Sequence, residues 1–202
     1  MEFQYFGGNS ILVSVKGRKF YFDNWTINQE LGKKSSVKDE DVILMTQKKD
    51  DQTLNNLTFD SPGEYEVSDV SIVGIPSKAF TDSESNLTMF KISTNEVNVL
   101  ITGNVNPEIS DALLEKIGMI DILIVPAGGS SVLGPNDALK IVKSIEPKIF
   151  IPTFYKEASG QFYALDEIVS QLGMEISEKT NKYKPKLNEL TDKTQLVILE
   201  KQ

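Results

Sequence analysis

The sequence predicts an α+β fold in which β-sheets pack together and helices cover them from outside. Short β patterns dominate the first half of the chain, whereas apolar residues at helical spacing first appear after residue 105. Wholly apolar runs such as Val42–Met45 are typical of strands that are buried on both faces. Periodicity alone does not distinguish packed sheets with outer helices from a generic α+β domain.

Turn residues divide the first half into short strands. Lys16-Gly17-Arg18 separates Ile11–Val15 from Lys19–Phe22, which is typical of a β-hairpin. Pro62-Gly63 and Thr94–Glu96 mark further turns. The other strands expected in this half are Val42–Met45, Leu57–Phe59, Glu64–Val67, Val70–Ile75, Leu87–Ile92 and Val97–Ile101.

Helices and strands alternate in the second half. Prolines near the first turns and glycines at the ends delimit the helices. The expected helices are Ile109–Ile117, Pro135–Ile145 and Leu165–Leu172, and the expected strands are Asp121–Val125, Lys148–Ile151, Met174–Ser177 and Leu196–Leu199. The Lys-rich segment Glu178–Lys193 is interpreted as a solvated loop.

Composition excludes several classes of function. The 202 residues include 29 acidic and 21 basic side chains, for a net charge of −8, and the lysines are scattered among acids. Nucleic-acid binding needs a concentrated basic surface, so we expect no nucleic-acid partner. The chain has neither Cys nor His. It therefore lacks thiolate nucleophiles, the commonest metal ligand and the usual proton shuttle near neutral pH.

The N-terminal segment gives no sign of export or membrane insertion. Met1–Phe6 alternates apolar and polar residues, with no basic region followed by an apolar one. No run approaches the roughly 20 apolar residues that span a bilayer. We therefore expect a cytoplasmic protein with no membrane association.

A series of local motifs is more informative than any one of them. PGEYEV at 62–67, GIPS at 74–77, DILIVPAGG at 121–129 and EPKIFIP at 146–152 follow one another in unbroken order. Over roughly residues 1–155 the series resembles the metallo-β-lactamase superfamily, in the branch of small metal-dependent hydrolases related to L-ascorbate-6-phosphate lactonase. The resemblance implies a single domain, 1–202, folded as an αββα sandwich with two mixed sheets face to face and helices outside. It also implies a site at one edge, built from loops that follow strands.

The residues that bind metal in active members of that superfamily are replaced here. The resemblance implies that the Thr-His-x-His-x-Asp-His loop corresponds to Thr46 through Gln52, where only the Asp is retained. The positions of this vestigial site are Gln47, Lys49, Asp51, Gln52, Asn104 and Phe154. Asn104 stands for the bridging Asp of a Gly-Asp motif and Phe154 for the last His. A further His corresponds, on weaker grounds, to Ala79.

Each replacement opposes metal binding for its own reason. Gln47, Gln52 and Asn104 offer neutral oxygens, Phe154 offers no donor, and the Lys49 ammonium places a positive charge where the cation belongs. A zinc site needs about three or four N, S or carboxylate ligands. We therefore expect no zinc, no other cofactor and no catalytic residue of the metallohydrolase type. Weak Mg²⁺ binding by Asp51, Asn104 and waters remains an alternative.

The resulting hypothesis is a degenerate superfamily member that acts as a binding, scaffolding or regulatory protein. Its expected partners are a second copy of the chain, another protein, or a small anionic ligand. Lys49 could pair with Asp51 and present a cation to such a ligand, or be a solvated loop residue. Trp25 and Phe154 could stack on a ligand, or simply pack. The alternative function is a hydrolase of altered chemistry, metal-free or weakly Mg²⁺-dependent, in the same cleft.

Overall fold

Two mixed β-sheets form the frame of the computed structural model, which describes residues 1–24, 37–47, 56–80, 86–156, 162–186, 188, 190 and 193–202. The first sheet has the order β1-β2-β3-β4-β5 and the second β12-β13-β11-β10-β9-β8-β7-β6. The strands are β1 (Glu2–Gly7), β2 (Ser10–Val15), β3 (Arg18–Phe22), β4 (Val42–Leu44), β5 (Leu57–Phe59), β6 (Gly63–Val67), β7 (Val70–Lys78), β8 (Asn86–Ser93), β9 (Asn98–Ile101), β10 (Ile122–Pro126), β11 (Ile149–Thr153), β12 (Ile176–Thr180) and β13 (Gln195–Leu199).

Each sheet combines an antiparallel part with a parallel part. In the first, β1, β2 and β3 are antiparallel, and β4 and β5 continue parallel to β3. In the second, β6 to β9 are antiparallel, and β10, β11, β13 and β12 continue parallel to β9. Because parallel strands end at the same edge of a sheet, the loops after β3, β4, β9, β10 and β11 leave from shared edges.

Local sequence explains the hairpin between β2 and β3. Val15 pairs with Arg18, so Lys16 and Gly17 alone form the turn. Both have positive φ, 49° and 75°, which is the geometry that suits the right-handed twist of a two-residue hairpin. The predicted hairpin is confirmed.

The core lies between the sheets and under the helices. The ring centroids of Phe22 in β3 and Phe90 in β8 are 6.4 Å apart, which places one contact directly between the two sheets. All five residues of β10 and of β11 are buried, as the apolar runs predict for parallel strands covered on both faces. The α+β sandwich of two mixed sheets is therefore confirmed.

Three helices complete the described part of the chain: α1 (Asp111–Ile117), α2 (Pro135–Ile145) and α3 (Leu165–Leu172). Helix α2 buries Ala138, Ile141 and Val142, in agreement with its helical spacing of apolar residues. No helix among the described residues has both the length and the apolar character needed to cross a membrane.

Several predicted boundaries were wrong. Strand β1 was not predicted, and β7 ends at Lys78 and not at Ile75. Helix α1 begins at Asp111 and not at Ile109, because the Ser110 side chain accepts a hydrogen bond from the Leu113 N–H and caps the helix. Strand β12 extends to Thr180, so its last three residues lie in the segment predicted to be a loop. This strand pairs in parallel with β13 and is largely exposed. Because its side chains are not buried, its sequence lacks the apolar pattern that indicates a buried strand.

Candidate functional site

The loops that follow the parallel strands meet along one side of the sandwich, which we call the site edge. It comprises 23–24 after β3, 45–47 after β4, 102–106 after β9, 127–133 after β10 and 154–156 after β11. The Thr88 N–H of the second sheet donates to the carbonyl oxygen of Thr46 in the first, at 2.8 Å. The site edge therefore joins the two sheets.

A buried carboxylate organises the start of the β4 loop. Asp23, only 1% exposed, accepts hydrogen bonds from the Thr46 N–H at 2.8 Å, the Thr46 hydroxyl at 2.6 Å and the Asn9 amide at 2.6 Å. The Thr153 hydroxyl donates in turn to Asn9 Oδ1 at 3.1 Å. One carboxylate thus links the loops after β1, β3 and β4, and Asn9 extends the network to the last residue of β11.

Burial raises the pKa of Asp23, and the hydrogen bonds from Thr46 and Asn9 offset part of that effect. Thr46 lies 23 residues from Asp23 along the chain, so no local pattern around Asp23 indicates these hydrogen bonds. Asn9 and Thr153 were not predicted to belong to the site at all. The one available signal was their small polar character beside strands that are otherwise apolar.

Gly103 allows the two sheets to approach closely at the site edge. It has φ +64°, and a Cβ there would lie 2.5 Å from Thr46 Oγ1. Any side chain at this position would displace the threonine that Asp23 holds. The Gly of the predicted Gly-Asn pair is therefore required by packing as well as by backbone conformation.

Asn104 holds the loop between β10 and α2. Its Oδ1 accepts a hydrogen bond from the Leu133 N–H at 3.0 Å, and its Nδ2 donates to the Ser131 carbonyl oxygen at 3.1 Å. Its own carbonyl oxygen accepts from the Phe80 N–H at 2.8 Å. The side-chain amide therefore uses both its acceptor and its donor on one loop, which we call the Asn104 clamp.

Phe154 occupies the end of β11 in an unusual backbone conformation. Its φ of +60° is left-handed, and its N–H donates to the Gly8 carbonyl oxygen at 3.0 Å and to Tyr5 Oη at 3.1 Å. Burial raises the pKa of Tyr5, so this hydroxyl stays neutral and itself donates to the Gly8 carbonyl oxygen. The ring centroids of Phe154 and Phe162 are 5.5 Å apart.

Glycines make room for the Phe154 backbone and its neighbours. A Cβ at Gly128 would overlap the Phe154 carbonyl oxygen, and a Cβ at Gly129 would lie 2.7 Å from the Tyr163 ring. Gly128-Gly129 thus serves close packing of the chain. Among the described residues, this part of the site edge is lined by aromatic rings and backbone.

The structure places only some of the predicted site residues. Gln47 is exposed directly after Thr46, and Ala79 is buried and bridges to Val105, beside Asn104. Gln47, Asn104 and Phe154 all follow parallel strands at the site edge. Lys49, Asp51, Gln52 and Trp25 lie outside the described residues.

Among the described residues, the donor set at the site edge does not fit a metal. In the described ranges, no group of three or more His, Cys, Asp or Glu residues could hold an ion. The Asn104 side chain is already hydrogen-bonded to Leu133 and Ser131, and the Phe154 side chain has no atom that can ligate a metal. A catalytic zinc centre uses about three protein ligands and an open position, and the site edge offers no such set in the part of the chain described here.

Comparisons with known proteins agree with this fold. The family described as the beta-lactamase superfamily domain matches residues 2–154. A "UPF0173 metal-dependent hydrolase" from Carboxydothermus hydrogenoformans is 35% identical over 66 residues, which cover 33% of this chain and 29% of that relative. The match thus spans less than a third of that relative's length.

Solved structures extend the likeness to the whole chain. A Thermotoga maritima protein, described as a Zn-dependent hydrolase of the metallo-β-lactamase superfamily, has a TM-score of 0.76 at 22% identity, covering 100% of this chain and 99% of that one. A metallo hydrolase from the archaeon Ignicoccus hospitalis has a TM-score of 0.62 at 15% identity, covering 85% and 90%. At these identities the likeness is one of fold.

Proposed function

This chain belongs to the β-lactamase superfamily, and we propose that it acts there as a binding, scaffolding or regulatory protein without metallohydrolase activity. Its relatives are hydrolases of the metallo-β-lactamase fold, whose reaction needs a metal to lower the pKa of a bound water and to polarise the substrate. The chain has no His or Cys to supply ligands, a general base of the usual kind or a thiolate nucleophile.

The Asn104 clamp carries the proposal. The resemblance assigns this position to a carboxylate that bridges two metals. Here the side chain donates to Ser131 and accepts from Leu133, and a carboxylate can only accept. The position therefore favours an amide, since a carboxylate would face the Ser131 carbonyl oxygen with no proton to donate. An asparagine that stabilises the loop supports a structural use of the former ligand position.

Phe154 supports the same proposal. Its ring packs with Phe162, where the superfamily's last histidine would coordinate metal. Its backbone N–H donates to the Gly8 carbonyl oxygen and to Tyr5 Oη, so the end of β11 is held in place without a bound metal. The former ligand positions thus contribute packing and loop stability.

Metal analysis is the direct experiment. We expect the purified, dialysed chain to carry far less than one Zn, Mn, Fe or Mg ion per molecule by mass spectrometry of the elements. Asp51→Ala and Asn104→Ala serve as matched variants. Stoichiometric metal that survives dialysis and is lost in either variant would refute the proposal, whereas metal retained by both is bound elsewhere and leaves the proposal standing.

An activity assay separates the proposal from the alternative hydrolase. We expect no hydrolysis of bis-p-nitrophenyl phosphate or of a simple lactone above the buffer rate, with or without added Mg²⁺, Mn²⁺ or Zn²⁺. Turnover that is abolished by Asp51→Ala would establish altered hydrolase chemistry instead.

Light scattering during size exclusion tests the proposed self-association, for which a monomer at all concentrations is the contrary result.

A further inference from the structure

A groove with both polar and apolar lining residues lies beside the site edge, on the side of helix α1. It has a volume of about 490 Å³ and is bounded by the end of β7, the start of β8, the loop after β9 and α1. This volume falls within the range of about 300–1,000 Å³ that is typical of small-molecule sites. The vestigial metal positions Gln47, Asn104 and Phe154 do not line it.

In the hydrogen bonds already made in the groove, the asparagine and serine side chains act as acceptors. Asn86 Oδ1 accepts from Lys78 Nζ at 3.3 Å, and Asn106 Oδ1 accepts from the Glu108 N–H at 2.9 Å. Ser110 Oγ accepts from the Leu113 N–H at 3.3 Å. Within the described ranges, each of these side chains therefore keeps its donor, an amide NH₂ or a hydroxyl proton, for another partner.

Two lysines add positive charge to these donors. Lys78 and Lys116 both line the groove, and neither takes part in the ion pairs found among the described residues. An ammonium has three donors, and Lys78 directs one of them to Asn86. Glu108 is the single carboxylate among the described lining residues, and its charge also acts on Lys140 outside the groove.

The lining is therefore rich in donors and carries net positive charge in a protein whose total charge is −8. Such a lining suits an anion, because charged hydrogen bonds are stronger than neutral ones and a cationic concavity concentrates counter-ions. Pro76, Ala112 and Leu113 supply apolar surface next to the donors. A ligand that uses both features has an anionic group and a short carbon skeleton.

We propose that this groove binds a small organic anion whose phosphate or carboxylate group is held by Lys78 and Lys116. Asn86, Asn106 and Ser110 donate to the same group or to hydroxyls of the ligand. The site is separate from the vacated metal positions, so it does not depend on whether those positions hold metal. The Ala79–Val105 bridge lies between the groove and the Asn104 clamp, so binding here can reach the site edge through one short segment.

Amide chemical shifts of the full chain provide the measurement. The isotopically labelled protein is titrated with glycerol 3-phosphate and, separately, with malonate, against glycerol and sodium chloride at matched ionic strength. We expect saturable shifts at Ser77, Lys78, Asn106 and Ser110 for at least one of the two anions, and none for glycerol. Saturation by one probe alone identifies the anionic group as phosphate or carboxylate.

Variants of opposite effect make the result specific. Removing the charge in Lys78→Gln or Lys116→Gln should weaken binding about tenfold each, while Glu108→Gln should tighten it. Lys19→Gln, an exposed lysine on β3, is the control and should leave the affinity unchanged. Shifts that fail to saturate by ~10 mM, that sodium chloride reproduces, or that persist in Lys78→Gln/Lys116→Gln would overturn the proposal. Metal content is a separate readout, so failure here is distinguishable from failure of the proposed function.

Discussion

Replacing Asn104 by aspartate introduces the carboxylate that the family resemblance implies at this position and removes the donor of the Asn104 clamp. The hydrogen bond from Nδ2 to Ser131 is lost, and a carboxylate oxygen then faces the Ser131 carbonyl oxygen. The bond from Leu133 is retained, because either side chain can accept it. A lost hydrogen bond of this kind costs about 0.5–1.5 kcal/mol, and the two opposed acceptors raise the cost to about 1–2 kcal/mol.

Urea unfolding and thermal melting, both monitored by circular dichroism, measure this change. For a domain of this size, 1 kcal/mol corresponds to roughly 2–4 °C in Tm, so we expect Asn104→Asp to melt a few degrees below the wild type. Asn106→Asp is the matched control. Asn106 uses only its acceptor, toward the Glu108 N–H, and a carboxylate replaces that acceptor without loss.

Two results would refute this reasoning. The first is an Asn104→Asp variant as stable as the wild type, or no less stable than Asn106→Asp, since the amide donor would then contribute nothing. The second is a rise in the Tm of Asn104→Asp with added zinc that the wild type does not show. That rise would mean that one carboxylate suffices to recover a metal site.

Three further predictions concern the site edge and the chain termini. Gly103→Ala should lower the free energy of unfolding by about 2–4 kcal/mol, because the new Cβ meets Thr46 Oγ1 at 2.5 Å. The control is Gly17→Ala, where φ is also positive but nothing lies within 4 Å of the new Cβ, and urea unfolding should show a cost of only about 1–2 kcal/mol. Burial raises the pKa of Asp23 above 3.8, so the contribution of this side chain to stability is present below pH 3.8 and is lost as the pH rises through the folded pKa. The stability of the wild type relative to Asp23→Asn should therefore fall with rising pH, and a pH-independent difference would contradict this. Glu2 binds Lys182 at 3.3 Å and Lys184 at 3.1 Å, so Glu2→Gln should cost at most about 1 kcal/mol at low salt and almost nothing at 1 M salt, as judged by Tm.

Many elements were predictable because their side chains repeat with the period of the structure. The apolar runs of β10 and β11 and the spacing in α2 reflect burial that is set residue by residue along one element. Strand β12 was predicted with wrong bounds, because exposed residues on an edge strand carry no apolar signal and hydrogen bonding to β13 defines it. The start of α1 was missed by two residues, because the Ser110 cap and not the apolar pattern decides it.

The sequence alone determined the superfamily fold and the absence of histidine and cysteine, because ordered motifs and residue identity need no coordinates. It also located Gln47, Asn104 and Phe154 after strands that end at one edge. Only the tertiary structure decided what those positions do now. That Asn104 clamps the loop at Ser131 and Leu133, and that Asp23 reaches Asn9 and Thr46, depends on hydrogen bonds between residues 14 to 29 positions apart. Such contacts arise when separate strands are brought together, and no local pattern encodes them.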